Sequence, residues 1–381
     1  MEGDVDLKRV DEKFVKNIIG LKDWKLIDTR DSNTFIGWRL NGEEKKGHIP
    51  GATDYAAEWI TFPFGNPWVD PEAQKKRFDQ KLLDKGITPD KKVVLYDYGN
   101  GDAEIVAEFL KGRGFEDFYY FDFHEWTEET VWAPNYKKMV PVQWVKDLID
   151  GKNPETYTGG PYRIFEVAET EEPYPQFVER HIPGAVYISV NEFQNEKDWS
   201  TKSDEELEVF AKNNGITVDT TVIIYAEGYT GASHVLACVL EYMGVRDVRC
   251  LNGSSYQWVI QNYETESGNP SKRPVESFGG KIPGNPRAIV KIDEAKKIVN
   301  LENDDQMVDM RTWEQYTGQT SGYPYFDGAG RLPNVIWCED SYYYLNPDET
   351  MGNPEEILAH WKSCGIDLDK RVVFYCGSGA W

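Results

Sequence analysis

The chain has 381 residues, which is too long for one ordinary core and predicts roughly two to three domains of about 100–150 residues each. A hydrophobic content of 40% with 14% aromatic residues is ample for globular cores and argues against disorder. The net charge of −23 argues against nucleic acid or an anionic membrane as a partner, and it means that a site for an anion needs local arginines and backbone dipoles.

Five cysteines are spread widely along the chain: Cys238, Cys250, Cys338, Cys364 and Cys376. Their number is odd and no C-x-x-C pair occurs, so we expect neither a zinc site nor a disulfide framework, and no metal or cofactor. We expect Cys338 and Cys364 to be buried or inert.

The acidic N-terminus has no apolar signal segment, and no run approaches membrane-spanning length. We therefore expect no membrane partner and a cytoplasmic protein, or an exported one if a signal was removed before residue 1.

Three similar stretches follow one another along the chain. The first begins with a strand over 24–30 that ends in Asp-x-Arg and continues with a Gly-His-Ile-Pro-Gly segment over 47–51 and a helix over 71–85. A strand over 92–97 then leads into a glycine-rich turn, which is followed by a helix over 102–111 and a strand over 117–121. The second repeats this order with strands over 162–168, 221–226 and 245–251 and His-Ile-Pro-Gly over 181–184. The third has strands over 306–311 and 371–376.

Alternating helices and near-continuous apolar strands predict an α/β fold with three tandem domains, each a mainly parallel sheet flanked by helices. Linkers near 134–141 and over 269–286 give domains 1–137, 138–272 and 273–381. The first two copies continue past the turn that follows the tyrosine-ending strand. The third reaches Trp381 at that turn, so we expect it to be incomplete at its C-terminus in this sequence, as a fragment or with the remainder on another chain.

Ligands of parallel sheets lie beyond the carboxyl ends of the strands. The residue after the tyrosine-ending strand is Asp97 in the first copy, Ala226 in the second and Cys376 in the third. Only Cys376 is a nucleophile suited to sulfur chemistry, and the small residues after it allow backbone N–H groups to point inward as an anion nest that stabilises a thiolate. The alternative is a buried cysteine at the end of a strand.

Asp-x-Arg, Gly-His-Ile-Pro-Gly-Ala and Tyr-Cys-Gly-Ser-Gly, in this order, resemble the rhodanese homology domain. Two such domains with only the later one catalytic are the arrangement of thiosulfate and 3-mercaptopyruvate sulfurtransferases. Three in a row, with Ser-Gly-Tyr-Pro-Tyr over 321–325 in the last, are similar to three-domain bacterial sulfurtransferases. The first two domains are then non-catalytic.

The resemblance implies that Cys376 takes sulfane sulfur from a small anionic donor, thiosulfate or 3-mercaptopyruvate, holds it as a persulfide and passes it to cyanide or a thiol. The active loop would be Cys376 with Gly377, Ser378, Gly379, Ala380 and Trp381, whose N–H groups form the anion cradle. Ser378 matches the loop serine of the mercaptopyruvate branch. Trp381 departs from the usual Arg or Thr and leaves the donor preference open.

The resemblance also implies three substrate-binding residues, Arg311, Arg331 and His181, with Asp309 in support. Arg311 would offer a bidentate cation to the donor, or would form a structural pair with Asp309. His181 would face the active loop, or, like His48, would fix the Pro-Gly turn. Asn334 replaces the glycine of that turn in the third copy and can still adopt the left-handed conformation.

Two other functions remain open. A persulfide carrier would use Cys376 only to hold sulfur, with the first two copies as partner surfaces. A cysteine-dependent phosphatase on the same fold would need a longer loop that ends in an arginine, whereas a Gly-Ser-Gly loop favours sulfur transfer.

Overall fold

A computed structural model gives the fold, and it describes residues 5–61, 71–228, 231–323, 328–339 and 344–377. The chain separates into two compact units. One unit comprises Met1–Tyr136 with Tyr342–Ile357, and the other comprises Lys137–Ser341 with Leu358–Trp381. The first unit therefore contains the first copy with a segment of the third, and the second unit contains the second copy with the rest of the third.

The first copy is built on a five-stranded sheet with helices on both faces. Its strands are β1 (Lys8–Arg9), β2 (Trp24–Asp28), β3 (Thr53–Asp54), β4 (Lys92–Asp97) and β5 (Phe118–Asp122). Its helices are α1 (Glu12–Ile18), α2 (Ser32–Ile36), α3 (Ala57–Thr61), α4 (Pro71–Asp84) and α5 (Asp102–Lys111). The strand order is β1-β5-β4-β2-β3, and each of these pairs is parallel.

Strand β4 is buried on both faces, as expected for a parallel sheet covered by helices. Val93 and Leu95 enter one core cluster, while Val94 and Tyr96 enter the cluster on the opposite face. The strand consequently reads as a continuous apolar run in the sequence, and its carboxyl end is held rigidly at the sheet edge.

The second copy repeats this topology. Its strands are β6 (Met139–Val140), β7 (Tyr162–Ala168), β8 (Ala185–Ser189), β9 (Thr221–Tyr225) and β10 (Asp247–Leu251). Its helices are α6 (Val142–Ile149), α7 (Pro175–Glu179), α8 (Asp204–Asn213), α9 (Ala232–Met243) and α10 (Ser255–Ile260). The order β6-β10-β9-β7-β8 corresponds strand for strand to that of the first sheet, again with parallel pairs.

The described part of the third copy contains a smaller parallel sheet. Its strands are β11 (Gln306–Asp309), β12 (Ile336–Trp337) and β13 (Val372–Tyr375), in the order β12-β11-β13. Its helices are α11 (Ile292–Val299), α12 (Trp313–Thr317) and α13 (Pro354–Ser363). The three strands correspond to β3, β2 and β4 of the first sheet, which are the strands that carry the candidate site.

The segment of the third copy that joins the first unit is held there by polar contacts around the buried Lys85 and Asp54. The Lys85 ammonium is fully buried and lies 2.6 Å from an Asp54 carboxylate oxygen and 2.8 Å from one of Glu356. The Asn353 amide also donates to Asp54, at 3.1 Å. A buried ammonium is tolerated because two carboxylates and their hydrogen bonds replace its water.

The predicted fold class, α/β with parallel sheets flanked by helices, is confirmed. The predicted helix over 71–85 is α4, the one over 102–111 is α5, and the predicted long strands are β2, β4, β7 and β9 within a few residues. The domain boundaries at 137 and 272 stay a prediction. In the part of the chain that the structure describes, no helix is long and apolar enough to cross a membrane.

Candidate active site

The three sheets repeat one arrangement at the carboxyl ends of two adjacent strands. An acidic residue at or near the end of one strand pairs in register with the tyrosine near the end of the next: Asp28 with Tyr96, Glu166 with Tyr225, and Asp309 with Tyr375. The tyrosine hydroxyl donates to the carboxylate at 2.8 Å in the first copy and 2.6 Å in the third. This shared frame makes positions in the three copies directly comparable.

The residue after each tyrosine lies at the sheet edge where ligands of parallel sheets bind. It is Asp97 in the first copy, Ala226 in the second and Cys376 in the third. Asp97 is completely buried, Ala226 is 3% exposed, and Cys376 is half-buried. The sequence alignment of these three positions is therefore supported by strand register.

In the first copy, the side chain at the position after the tyrosine accepts several hydrogen bonds. The Asp97 carboxylate accepts hydrogen bonds from the backbone N–H groups of Gly99, at 2.7 Å, and Ala103, at 3.0 Å. Ala103 lies in the first turn of α5, whose N–H groups have no partner within the helix. The Tyr120 hydroxyl donates to the same carboxylate at 3.0 Å. The strand-end turn of this fold is therefore an anion cradle, and in the first copy its own carboxylate fills it.

In the third copy, Tyr323 lies against the start of the active loop. The Gly377 N–H donates to the Tyr323 hydroxyl oxygen at 3.0 Å. The tyrosine ring is so close to the Gly377 backbone that any Cβ at this position would overlap it, so the loop requires glycine here. Burial raises the pKa of Tyr323, and the charge of the nearby Cys376 raises it further.

Arg311 and Asp309 form a bidentate ion pair at the end of β11. The guanidinium donates to the two carboxylate oxygens at 2.9 Å and 2.7 Å and to the Gly330 carbonyl at 2.8 Å. Asp309 is completely buried and Arg311 is 8% exposed. The hydrogen bond to Asp309 raises the pKa of Arg311, so the guanidinium stays charged.

The same ion pair occurs in the first copy, where Arg30 donates to Asp28 and to the Gly47 carbonyl. That copy carries an aspartate instead of a nucleophile, so the pair by itself is part of the frame. In the third copy it fixes Asp309, which in turn accepts from the Tyr375 hydroxyl next to Cys376.

Arg331 lies on an aromatic cluster. Its guanidinium is 4.6 Å from the ring centroid of Tyr316. That ring stacks on Trp313, with centroids 5.6 Å apart, and Trp313 meets Trp337 edge-on at 4.9 Å. Trp337 pairs in register with Asp309, and its indole N–H donates to the Arg311 carbonyl at 2.9 Å. Arg331 and the three rings therefore adjoin the strand ends of the third sheet.

His181 and His48 have matching environments. Each ring stacks on a phenylalanine, Phe177 or Phe35, and uses Nδ1 to donate to that residue's carbonyl, at 2.8 Å and 2.9 Å. Each histidine also makes a backbone bridge to a distant segment of its own copy. These contacts hold the residue that precedes the Ile-Pro-Gly turn and favour the structural interpretation of the two histidines, which stays a prediction. Of the described residues, those that line the cleft beside His181 all belong to the second copy.

The turn that follows has the predicted backbone. Gly51 and Gly184 have φ of +83° and +79°, and Asn334 has φ of +55° in the third copy. Asparagine tolerates this left-handed conformation, and its side chain donates to the Val299 carbonyl at 2.8 Å. Four of the predicted loop residues, Ser378, Gly379, Ala380 and Trp381, lie outside the described residues.

The Rhodanese-like domain model matches residues 11–129 and 141–261, which together are more than half of the chain. The chain belongs to the rhodanese family. The thiosulfate sulfurtransferase YnjE of Escherichia coli K12 is 31% identical over 364 residues, which cover 93% of this chain and 80% of that protein. The predicted resemblance to rhodanese-like sulfurtransferases is thereby confirmed.

Two solved structures are similar over almost the whole chain. The wild-type structure of EanB has a TM-score of 0.89 and 28% identity, covering 100% of this chain and 91% of that one. The anaerobic ergothioneine biosynthesis enzyme from Chlorobium limicola, bound to its natural substrate trimethyl histidine, has a TM-score of 0.88 and 28% identity, covering 98% and 91%. The similarity therefore extends beyond the two domains that the family model matches.

The contact between Tyr323 and Gly377 was not predicted. The sequence drew attention to the stretch over 321–325 but gave Tyr323 no role, because nothing local links it to a residue 54 positions away. The Trp337 contact with Arg311 was missed for the same reason. A prediction of strand register would have placed Trp337 beside Asp309.

The expectation of no disulfide is wrong for one pair, since Cys338 and Cys364 are bonded. Cys338 follows edge strand β12 and donates its backbone N–H to Asp309, while Cys364 follows α13. Packing of α13 beside β12 brings them together over 26 residues. The ring of His360 is adjacent, with Nε2 3.6 Å and 3.8 Å from the two sulfurs. These three groups could hold a metal ion only with the disulfide reduced, because bonded sulfurs are not thiolate ligands, and the expectation of no metal site stays a prediction.

Proposed function

We propose that this protein is a sulfurtransferase that moves sulfane sulfur from thiosulfate or 3-mercaptopyruvate to a thiophilic acceptor through a Cys376 persulfide. The Cys376 thiolate attacks the outer sulfur of thiosulfate, or the thiol sulfur of 3-mercaptopyruvate, and forms a new S–S bond. With thiosulfate, the donor's S–S bond breaks and sulfite leaves with the electron pair. With 3-mercaptopyruvate, the C–S bond breaks and pyruvate leaves after taking up a proton.

The second half-reaction returns the enzyme to its starting state. Cyanide or an acceptor thiolate attacks the outer sulfur of the persulfide, and the Cys376 thiolate leaves. With cyanide the product is thiocyanate. Both half-reactions place negative charge on sulfur at the strand end, so stabilising that charge is the main task of the loop.

The observation that carries the proposal is the cradle of the first copy. Cys376 occupies the position of Asp97, and the Asp97 carboxylate is held there by two backbone N–H groups and a hydroxyl. We infer that the N–H groups of Ser378, Gly379 and Ala380, with Trp381 closing the loop, hold the Cys376 thiolate and persulfide in the same way. The Gly377 N–H, also predicted as part of the cradle, would have to leave the Tyr323 hydroxyl to join them. Small residues allow the tight turn that this requires.

The remaining residues would support the loop and the donor. The Gly377 N–H already donates to Tyr323, so Tyr323 would fix the direction of the loop's first amide. Arg311 would position Asp309 and Tyr375, and the exposed Arg331 would attract the anionic donor against the net charge of −23. His181, with its contacts inside the second copy, would act on the turn rather than on the donor.

A second acceptor class is favoured by a specific observation. The cluster of Trp313, Tyr316 and Trp337 adjoins the strand ends of the third sheet, and aromatic faces bind quaternary ammonium groups. The similar enzyme of Chlorobium limicola takes trimethyl histidine, which carries such a group. An imidazole with a trimethylammonium group is therefore the acceptor to test beside cyanide and thiols.

Turnover of the Cys376→Ser variant tests the proposal. With thiosulfate and cyanide we expect loss of activity by at least about 10³-fold, as when other catalytic nucleophiles are removed. Cys238→Ser is the matched control, because it removes a thiol in α9 of the second copy. Activity that survives in Cys376→Ser would overturn the proposal.

The same preparation separates the alternatives. Slow turnover with every small donor but rapid discharge of sulfur to one protein thiol would indicate a persulfide carrier. Hydrolysis of a phosphate ester that depends on Cys376 would indicate a phosphatase.

A further inference from the structure

The second copy keeps the acidic residue and the tyrosine of the shared frame but lacks the arginine. Glu166 pairs in register with Tyr225, and the Ile182 N–H donates to the Tyr225 hydroxyl at 3.2 Å, as Ile49 does to Tyr96 in the first copy. Two residues after the acidic residue, however, Ala168 stands where the first copy has Arg30 and the third has Arg311.

Arg30 shows what the missing side chain occupies. Its guanidinium is 1% exposed, donates to both oxygens of Asp28 and to the Gly47 carbonyl, and lies over the rings of Phe123 and Tyr98 at 3.8 Å and 4.8 Å. An alanine at this position removes a planar cation and leaves its carboxylate without that partner.

Both aromatic neighbours of that guanidinium are also replaced in the second copy. Glu227 stands two residues after Tyr225, as Tyr98 stands two residues after Tyr96. Ser255 stands three residues before Trp258, as Phe123 stands three residues before Trp126. These replacements substitute smaller or acidic groups for aromatic rings.

A cleft lies at this place in the second copy. It encloses about 320 Å³, including the part open to solvent, and Glu166, Glu227, His181, Tyr174, Ser255 and Trp258 are among the residues that line it. Glu166 is 2% exposed, and the described groups that act on its carboxyl group are hydroxyls and Glu227, with no cation among them. The hydroxyl of Tyr174 donates to its carboxyl group from one side.

His181 supplies an unused acceptor in the cleft. It is 3% exposed, and its Nδ1 donates to the Phe177 carbonyl, so Nε2 carries the lone pair. Within the described residues, Nε2 has no hydrogen-bond partner. A buried acceptor without a donor is costly, and a ligand N–H would satisfy it.

We propose that this cleft binds a small planar cation of the guanidinium or amidinium class in the place that arginine occupies in the other two copies. Glu166 accepts two N–H groups of the ligand side by side, as Asp28 does from Arg30. Glu227 faces the ligand at the mouth of the cleft. His48 Nε2 also has no hydrogen-bond partner among the described residues although Arg30 is present, so His181 Nε2 accepts a third N–H only from a ligand that extends beyond the position of that guanidinium. In the first copy, Arg30 also donates to the carbonyl of Gly47, the residue before His48. The corresponding carbonyl in the second copy is that of Arg180, the residue before His181, and it would accept a further N–H of the ligand.

Charged groups around the cleft set the conditions for binding. Burial raises the pKa of Glu166 to about 8, and the charge of Glu227 adds to the effect. Binding of a cation therefore expels a proton, and affinity increases as the pH rises towards that value. The exposed Arg180 guanidinium interacts with Glu227 and is the one positive group that lines the described cleft.

Calorimetric titration with guanidinium chloride at millimolar concentration tests the proposal, with sodium chloride at equal ionic strength and urea as the neutral planar control. We expect saturable binding of guanidinium with one site per chain and none of urea. Methylguanidine and N-acetylarginine amide, titrated in parallel, distinguish a free small ligand from an arginine side chain of a peptide.

Three variants locate the site. Glu166→Gln removes the carboxylate at the base of the cleft, and Glu227→Gln removes the carboxylate at its mouth. We expect each variant to bind guanidinium more weakly than the wild type, Glu166→Gln by at least about tenfold. Ala168→Arg restores the arginine of the other copies and should abolish binding while raising the melting temperature. Absence of saturable binding in the wild-type protein, or equal affinity in wild type and Glu166→Gln, would overturn the proposal. Repeating the titration in Cys376→Ser keeps the result independent of sulfur transfer.

Discussion

At the scale of single residues, one backbone position serves three purposes in the three copies. Asp97 fills its own cradle with a carboxylate, Ala226 adds no functional group, and Cys376 adds a thiol. The acidic residue and the tyrosine behind this position are kept in all three. The three copies thus share the pair of acidic residue and tyrosine and differ in the residue that follows the tyrosine. Only in the third copy is that residue a cysteine.

Tyr323→Phe tests the support of the loop. The change removes the hydroxyl that accepts the Gly377 N–H and leaves the ring in place, so we expect kcat for sulfur transfer to fall by about 5- to 10-fold, the worth of one hydrogen bond. The melting temperature should not change measurably.

Tyr316→Phe is the control, because the contacts described for that tyrosine involve its ring rather than its hydroxyl. Equal losses of kcat in the two variants, or no loss in Tyr323→Phe, would show that the hydrogen bond to Gly377 does not support the loop.

Glu166 makes stability depend on pH. Its folded-state pKa of about 8 lies above its ordinary value of 4.5 because burial disfavours the carboxylate. The folded protein therefore binds more protons than the unfolded one between these values, and Glu166 lowers stability as the pH rises through this window, by up to about 1.4 kcal/mol per unit of pKa difference.

Chemical denaturation of wild type and Glu166→Gln across this pH window measures the effect. We expect the free energy of unfolding of the variant to exceed that of the wild type increasingly from pH 4.5 to about pH 8, and by a constant amount above it. A difference that does not change with pH would contradict the assignment.

At the scale of elements, the disulfide couples an edge strand to a helix. Cys338 follows β12 and Cys364 follows α13, and the bond closes a loop of 26 residues. In the chain-entropy model such a loop contributes roughly 3 to 4 kcal/mol to stability. The Cys338 N–H also donates to Asp309, so the bond stabilises the strand end that carries the Asp309–Arg311 pair.

Cys338→Ser should therefore lower the free energy of unfolding under oxidising conditions, and reduction of the wild-type protein should have the same effect. Cys238→Ser, outside the bond, serves as control. If wild type and Cys338→Ser unfold at the same denaturant concentration under oxidising conditions, the bond does not form in solution.

Elements with a strong local pattern could be predicted, and those made by distant contacts could not. The apolar runs of β4, β7 and β9 and the helix α5 are visible in the sequence, because burial of both sheet faces selects continuous apolar residues. Strand β1 has two exposed residues, Lys8 and Arg9, and no such pattern. The disulfide was missed because it depends on how α13 packs beside β12, which no spacing encodes.

At the candidate site, the sequence was sufficient to align Asp97, Ala226 and Cys376, since each follows a strand that ends in tyrosine. The sequence left open whether Arg311 binds the sulfur donor or forms a structural ion pair with Asp309. The structure favours the pair, because the same geometry recurs at Arg30 in a copy with no nucleophile. Tyr323 needed the fold itself, since its contact with Gly377 spans 54 residues.

At the scale of the whole molecule, the strongly negative charge sets the context for an anionic donor. A net charge of −23 repels thiosulfate at long range, so a productive encounter depends on local groups such as Arg331 and the loop amides. The two copies without a cysteine after the tyrosine then contribute sheets and, in the second, the cleft for which we propose a cation. In the proposed mechanism, the chemistry is concentrated in one copy of three.

The most direct test of this account is to find where the sulfur is held. The wild-type protein is incubated with thiosulfate, freed of excess donor, digested and examined by mass spectrometry, with and without cyanide treatment. We predict that the peptide with Cys376 gains the mass of one sulfur atom and loses it to cyanide, with release of thiocyanate. Sulfur on another cysteine, such as Cys238 or Cys250, with Cys376 unmodified, would contradict the account.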